Sequence, residues 1–175
     1  MTFERAMVIL FTKAAQTVIA ERFTHTFFDN DGNRVRKVFA YLFSVFIATF
    51  VNLFFYKPIF NFLSIFLGLS AIALSYNGTI KRKCMFVFYI LAVSCLIDLV
   101  VSAFLIKPFG YDRYSAFVSI FALLLLHAAQ LITERFFGND LGIELNNRYW
   151  LFIIASLLVC IITCLLYTSP SPRDP

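Results

Sequence analysis

Five or six apolar runs, most about 20 residues long and separated by short polar connections, constrain this chain more than any other feature. A helix needs about 20 mostly apolar residues to cross ~30 Å of hydrocarbon. The runs are Phe3–Ala20, Val38–Tyr56, Ile59–Tyr76, Met85–Ile106, Tyr114–Ile132 and a last one opening at Tyr149–Thr163. The first is the weakest, interrupted by Lys13 and Gln16. The runs are continuous rather than alternating, which excludes a β-barrel. Of the 175 residues 61% are hydrophobic, whereas a soluble domain is nearer ~45–50%. The fold class expected is all-α, a polytopic membrane helix bundle of about six transmembrane helices.

The connections fix the expected orientation. "ERFTHTFFDNDGNRVRK" holds four Lys/Arg, "NGTIKRK" three and "ERFFGNDLGIELNNR" two, nine in all. The other side has Arg5, Lys57, Lys107 and Arg113. The positive-inside rule then places the N-terminus outside, and the C-terminus outside after six crossings. Pro58 and Pro108 sit in the outer turns, while "DNDGN" and "YNGT" supply turn chemistry inside. The net charge of +5 follows from these loops and asks for no nucleic acid, since the 23 phenylalanines lie within apolar runs rather than among basic residues. The first residues lack the basic start and small-residue cleavage site of a signal peptide. Cys84, Cys95, Cys160 and Cys164 form no CxxC and read as buried, inert thiols.

The tail "CLLYTSPSPRDP" is out of keeping with what precedes it. Tyr149–Thr163 supplies 15 residues, about 22 Å of helix, short of a full crossing. Residues Cys164–Asp174 resemble, in one reading frame, the translation of a transposon-based sequencing adapter. The organisation expected is therefore a truncated transmembrane domain over 1–163 and an artefactual tail over 164–175. A native Pro/Ser-rich tail after a short helix is the alternative.

Asp98 is the sharpest candidate for chemistry. A carboxylate within a span costs several kcal/mol unless it is neutral, paired or hydrated. It falls in the outer half of the fourth run, and Asn52 and Asn61 fall at similar depth. These three could line an outward-opening polar pocket rimmed by Lys57, Lys107 and Arg113. Equally, they could be interhelical glue, hydrogen-bonding across helices. His127 and Gln130 share a face of the fifth run, as a proton relay or as a packed polar pair. A Cys84–His127 nucleophilic pair would need hydrogen-bond reach and an oxyanion donor, which nothing in the sequence supplies. "IKRK" either binds anionic lipid or only sets topology. Ser64, Gly68, Ala71 and Ala73 form a small-residue face suited to close helix packing. No P-loop, HExxH or GxSxG motif is present, no metal site is expected, and no cofactor.

"NLFFYKPIFNFL", "YNGTIKRK" and the Asp-bearing "FYILAVSCLIDLVV" together resemble the N-terminal membrane sensor of GHKL-type histidine kinases. These are the accessory-gene-regulator (quorum-sensing) receptor kinases of Gram-positive bacteria. The resemblance implies six or seven helices ahead of a cytoplasmic kinase, in a two-component system answering a secreted peptide. It implies a bacterial plasma-membrane location, with the bilayer, an extracellular peptide ligand and a second copy of the chain as partners. His25 and His127 lack the phosphoacceptor context and no ATP-binding motif occurs, so no catalytic residue carries over and the chain as given is not expected to be an enzyme. The competing expectation is a small transporter or channel, with Asp98 and His127 along a path across the bilayer. The peptide-processing cysteine protease of the same systems needs a His–Cys arrangement not found here.

Overall fold

The computed structural model describes residues 3–28, 33–55, 58–110, 115–137 and 158. Every regular element among them is helical: α1 (Phe3–Phe27), α2 (Arg34–Phe54), α3 (Pro58–Ser75), α4 (Ile80–Val101), a π-helical turn (Ser102–Ile106), a short α5 (Lys107–Phe109) and α6 (Ala116–Phe137). Three stretches are long and apolar enough to cross a membrane: Arg34–Phe54, Ile80–Ile106 and Ala116–Arg135. The apolar part of α3, Ile59–Ser75, is shorter, and α1 carries Lys13 and Gln16. The sixth run, Tyr149–Thr163, and the tail lie outside the described residues, so five long helices stand where about six were expected.

The helix ends follow local chemistry. Asn33 caps α2, its side chain accepting from the Val35 N–H at 3.0 Å, and Thr79 caps α4 through the Arg82 N–H at 3.5 Å. Each meets a backbone donor left unpaired by the first helical turn. Between α3 and α4, Gly78 adopts φ 154°, a conformation that side chains with a Cβ avoid. Pro108 has no N–H to give the Phe104 carbonyl, and the π-helical turn occupies the residues just before it. Gly110 then ends α5 with φ 64°, its N–H donating to the Ile106 carbonyl at 2.9 Å.

Three sequence-based boundaries need correction. "ERFTHTF" is not loop: α1 continues through it to Phe27, because Glu21 to Phe27 contains no helix breaker and packs its apolar members against the core. Likewise "IKRK" forms the first turn of α4, and α6 runs five residues beyond Ile132 to Phe137. The polar connections are correspondingly shorter than the sequence suggests.

The long helices close into a ring. α2 packs most extensively on α3, α3 on α4, α4 on α6, α6 on α1, and α1 on α2, with a slighter contact of α1 and α4 across the middle. Contacts alternate the helix directions. The end of α1, start of α2, end of α3, early α4 and end of α6 share one pole, shown by Thr24–Tyr41, Thr24–Tyr76 and Tyr89–Thr133 hydrogen bonds. This pole carries Arg36, Lys37 and the Lys81–Lys83 turn, and it will be called the basic pole.

The largest buried cluster gathers toward that pole, while Ile9, Val101 and Val118 are buried toward the other. Phe23, Phe27, Phe28, Ile72, Tyr76, Phe86 and Ile90 are buried in one cluster. Phe28 stacks on Tyr76 at 5.4 Å and meets Phe86 edge-on at 5.3 Å, while Phe27 meets Phe86 edge-on at 5.7 Å. Aromatic pairs at these separations add to the gain from burial. Outward faces are apolar too: on α2, Phe39 is 67% and Phe46 68% exposed, with Leu42 and Phe54 beside them. Such continuous apolar surface suits hydrocarbon rather than water.

A polar cleft between five helices

At the pole opposite the core, two adjoining cavities of about 90 and 80 Å³ open between the helices. Both are lined by Lys13 and Gln16 of α1, Asn61 of α3, Asp98 of α4 and Ala122 of α6. Asn52 of α2 joins the outer one, and Ser44 and Ser94 join the inner one. The inner cavity ends on Ala20, Phe23, Leu69, Ile90 and Leu126, all members of the core cluster. The cleft therefore mixes these polar side chains with apolar ones, among them Ile9, Val101 and Val118, and is blind at its base.

Three of the six sequence candidates converge here. Asn52, buried on α2, donates through Nδ2 to Asn61 Oδ1 at 2.8 Å and to the Ala48 carbonyl at 2.8 Å. The pair ties α2 to α3, and both residues also line the cleft, so the glue and the pocket readings describe one arrangement. Asp98 reaches the same cleft from α4 and remains exposed. Lys57 and Arg113 lie outside the described residues. Lys107 sits at the first position of α5, just beyond the π-helical turn that follows Asp98 by four residues.

Lys13 and Gln16 were not among the sequence candidates. The sequence shows them as interruptions of the weakest run; the ring turns them inward, with Lys13 Nζ donating to Gln16 Oε1 at 3.2 Å. Their spacing of three puts both on one helix face, and that signal was available. What was not available was that this face looks across the ring toward Asp98. A lysine and an aspartate lining one membrane-depth cleft offset each other's charge, the arrangement that makes ionisable side chains tolerable in hydrocarbon.

A second polar feature lies at the basic pole. The hydroxyls of Thr24, Tyr41 and Tyr76 form a triangle with sides of 3.2, 3.0 and 3.0 Å, joining α1, α2 and the end of α3. Lys37 Nζ stands 4.2 Å above the Tyr76 ring, a cation–π contact. Arg36 donates to the Ser75 carbonyl at 2.9 and 3.3 Å and to the Leu74 carbonyl at 3.1 Å, closing off the C-terminal end of α3. The sequence counted Tyr41 and Tyr76 as apolar-run residues, which hid the triangle.

The remaining candidates separate. His127 is half-buried on α6, while Gln130 is fully buried and its amide atoms have no hydrogen-bond partner. Cys84 and Cys95, expected to be buried, are half-buried, and neither is in a disulfide. Among the described residues no three His, Cys, Asp or Glu side chains come close enough to hold a metal ion. Comparison with family models, with curated proteins and with solved structures finds no match to this chain.

Proposed function

We propose that the chain is the membrane-embedded input domain of a sensor histidine kinase, a six-span bundle whose cleft receives an external ligand. One observation supports this reading above the others. The cleft opens at the pole away from Arg36, Lys37 and Lys81–Lys83, with Lys13 in its lining, and stops on the core residues Ala20, Phe23, Leu69, Ile90 and Leu126. With basic loops on the cytoplasmic side, the cleft faces outward and is closed inward. A blind pocket suits a receptor, in which binding biases the packing of helices that run on to the other face. To act, the ligand must prefer one helix arrangement by a few kcal/mol.

Sidedness is tested by cysteine labelling in cells, in a background whose own cysteines are changed to serine. Asn61→Cys should react with a membrane-impermeant thiol reagent in intact cells, and Thr79→Cys only after permeabilisation. Labelling of Thr79→Cys in intact cells would overturn the orientation and with it an outward-facing receptor. Attachment to a kinase is tested on the source DNA beyond the Thr163 codon: an open frame into a seventh span and a kinase domain supports it, and a stop after a native Pro175 removes it.

Lys13 and Asp98 in one cleft at membrane depth also favour a second reading, a small transporter. It requires the Phe23–Phe86 core to open in another conformation. Proteoliposome flux that vanishes in Asp98→Asn would establish it over sensing.

A further inference from the structure

We infer that the floor of the cleft is a gate: α6 has a second packing in which Leu126 withdraws, the cleft deepens by one helical turn, and water reaches the Gln130 amide. The gate concerns the base of the cleft and does not depend on which membrane face its mouth meets.

The orphaned amide is the first argument. Gln130 is fully buried, and neither Nε2 nor Oε1 has a hydrogen-bond partner among the described residues. A buried amide left unpaired carries its full desolvation cost, which an apolar side chain of the same length would not. Gln130 therefore ties no helices together in this packing. A rearrangement that admits water to the amide offsets that cost, so Gln130 makes the floor easier to open than an apolar residue would.

Position is the second. Val118, Ala122, Leu126 and Gln130 follow one another at intervals of four, which puts them on one face of α6. Val118 and Ala122 line the outer cavity, and Ala122 and Leu126 line the inner one. Gln130 is the next step, about 6 Å deeper along the helix. The cleft thus ends one turn short of the amide, at Leu126, Phe23 and Ile90.

A hinge is the third. Thr133 Oγ1 donates to the Ala129 carbonyl at 2.7 Å and meets the Tyr89 hydroxyl of α4 at 2.7 Å. A threonine bonded back to the carbonyl four residues earlier weakens and bends a helix, and here that bond spans Gln130. The Tyr89 contact holds α6 to α4 beyond the bend, whereas before it Ala122 and Leu126 border open space. Movement on the cleft side of Ala129 opens the floor. The Thr133–Tyr89 pair, with Phe27 against the Tyr89 ring at 5.6 Å, keeps the deepened cleft closed toward the basic pole.

The chain holds two glutamines, Gln16 and Gln130, which makes the test selective. The full chain, with an isotopic nitrogen label in its glutamine side chains, is placed in mixed micelles and moved to heavy water. Loss of the two side-chain amide signals is followed by nuclear magnetic resonance, and Gln130→Met assigns them by removing one. Gln16 lines the open cleft and should exchange fast. Gln130 should exchange more slowly, at a rate insensitive to dodecyl sulfate added below the unfolding transition, because the floor opens without global unfolding. Gln130→Met should also raise the ratio of folded to unfolded chain about tenfold or more at a given dodecyl sulfate content. Exchange of Gln130 that rises in step with global unfolding, or does not occur before it, would overturn the inference. So would a Gln130→Met chain no more stable than the parent, since the amide would then be paired. Thiol labelling of Asn61→Cys can fail while both results hold, in which case the outward receptor falls and the gate stands.

Discussion

Gly68 offers the most direct check on the ring, because it packs against Ser44 of α2 in the α2–α3 interface. A Cβ at this position would lie 2.5 Å from Ser44 Oγ, 3.2 Å from Ser44 Cβ and 3.4 Å from Ser44 Cα. In Gly68→Ala the first clash can be relieved by rotating the Ser44 hydroxyl. The second cannot, since it involves the root of the side chain, whereas the Cα at 3.4 Å is in ordinary contact. The helices must then part by a few tenths of an ångström along the most extensive interface in the fold. Overpacking of this kind costs about 1–3 kcal/mol, and the relieved hydroxyl places Gly68→Ala near the lower half, about 1–2 kcal/mol. The usual helical advantage of Ala over Gly, about 1 kcal/mol in water, cancels when the unfolded state is itself helical, as in sodium dodecyl sulfate. The assay is therefore reversible unfolding by dodecyl sulfate in mixed micelles, followed by near-ultraviolet dichroism. Gly68→Val, with two further carbons, should lose more than Gly68→Ala. Ser44→Gly placed in the Gly68→Ala background should recover most of the loss, because it removes the atoms at 2.5 and 3.2 Å. If Gly68→Val unfolds with the parent, or the double variant is no better than Gly68→Ala, the close approach is wrong.

Two other expectations bear on the basic pole. Arg36→Met should destabilise by about 1–2 kcal/mol, since it strips three donated hydrogen bonds from the Leu74 and Ser75 carbonyls, discounted for the side chain's exposure; the same micelle titration checks it, with an equal loss in Arg36→Lys marking the planar fork as essential and no loss in either refuting the cap. Tyr76→Phe should cost about 1 kcal/mol by removing one corner of the hydroxyl triangle, and Tyr76→Ala about 3–5 kcal/mol by also removing the Phe28 stack and the ring beneath Lys37; equal losses would show that the ring contributes nothing beyond its hydroxyl.

Much of this could be read from the residues. The grouping of Asp98, Asn52 and Asn61 was legible because distance from a helix end fixes depth, and the three lie at similar depth near one pole. The small-residue face of α3 was legible for the same kind of reason, since Ser64 and Gly68 are four apart and both are buried. Lys13 was visible only as a flaw in a span. Its partnership with the cleft depends on how α1 is rotated, and a helix whose polar and apolar residues are spread around all its sides carries no strong signal of rotation. Tyr41 and Tyr76 were hidden similarly: a tyrosine reads as apolar until a neighbour's hydroxyl is found beside it.

Composition and spacing by themselves determined that the described chain is helical, that its helices are apolar enough in part for hydrocarbon, and where about half of the helix ends fall. Backbone donors and acceptors must be satisfied within each segment in such a solvent, so the covalent order of apolar runs, Asn33, Thr79 and the prolines is enough. Tertiary packing alone decided that the ring holds its aromatic cluster at one pole and gathers Lys13, Asn52, Asn61 and Asp98 toward the other. With lipid outside as apolar as the side chains, burial of greasy surface cannot choose a facing; close fits such as Gly68 on Ser44, and the few polar groups seeking partners, do.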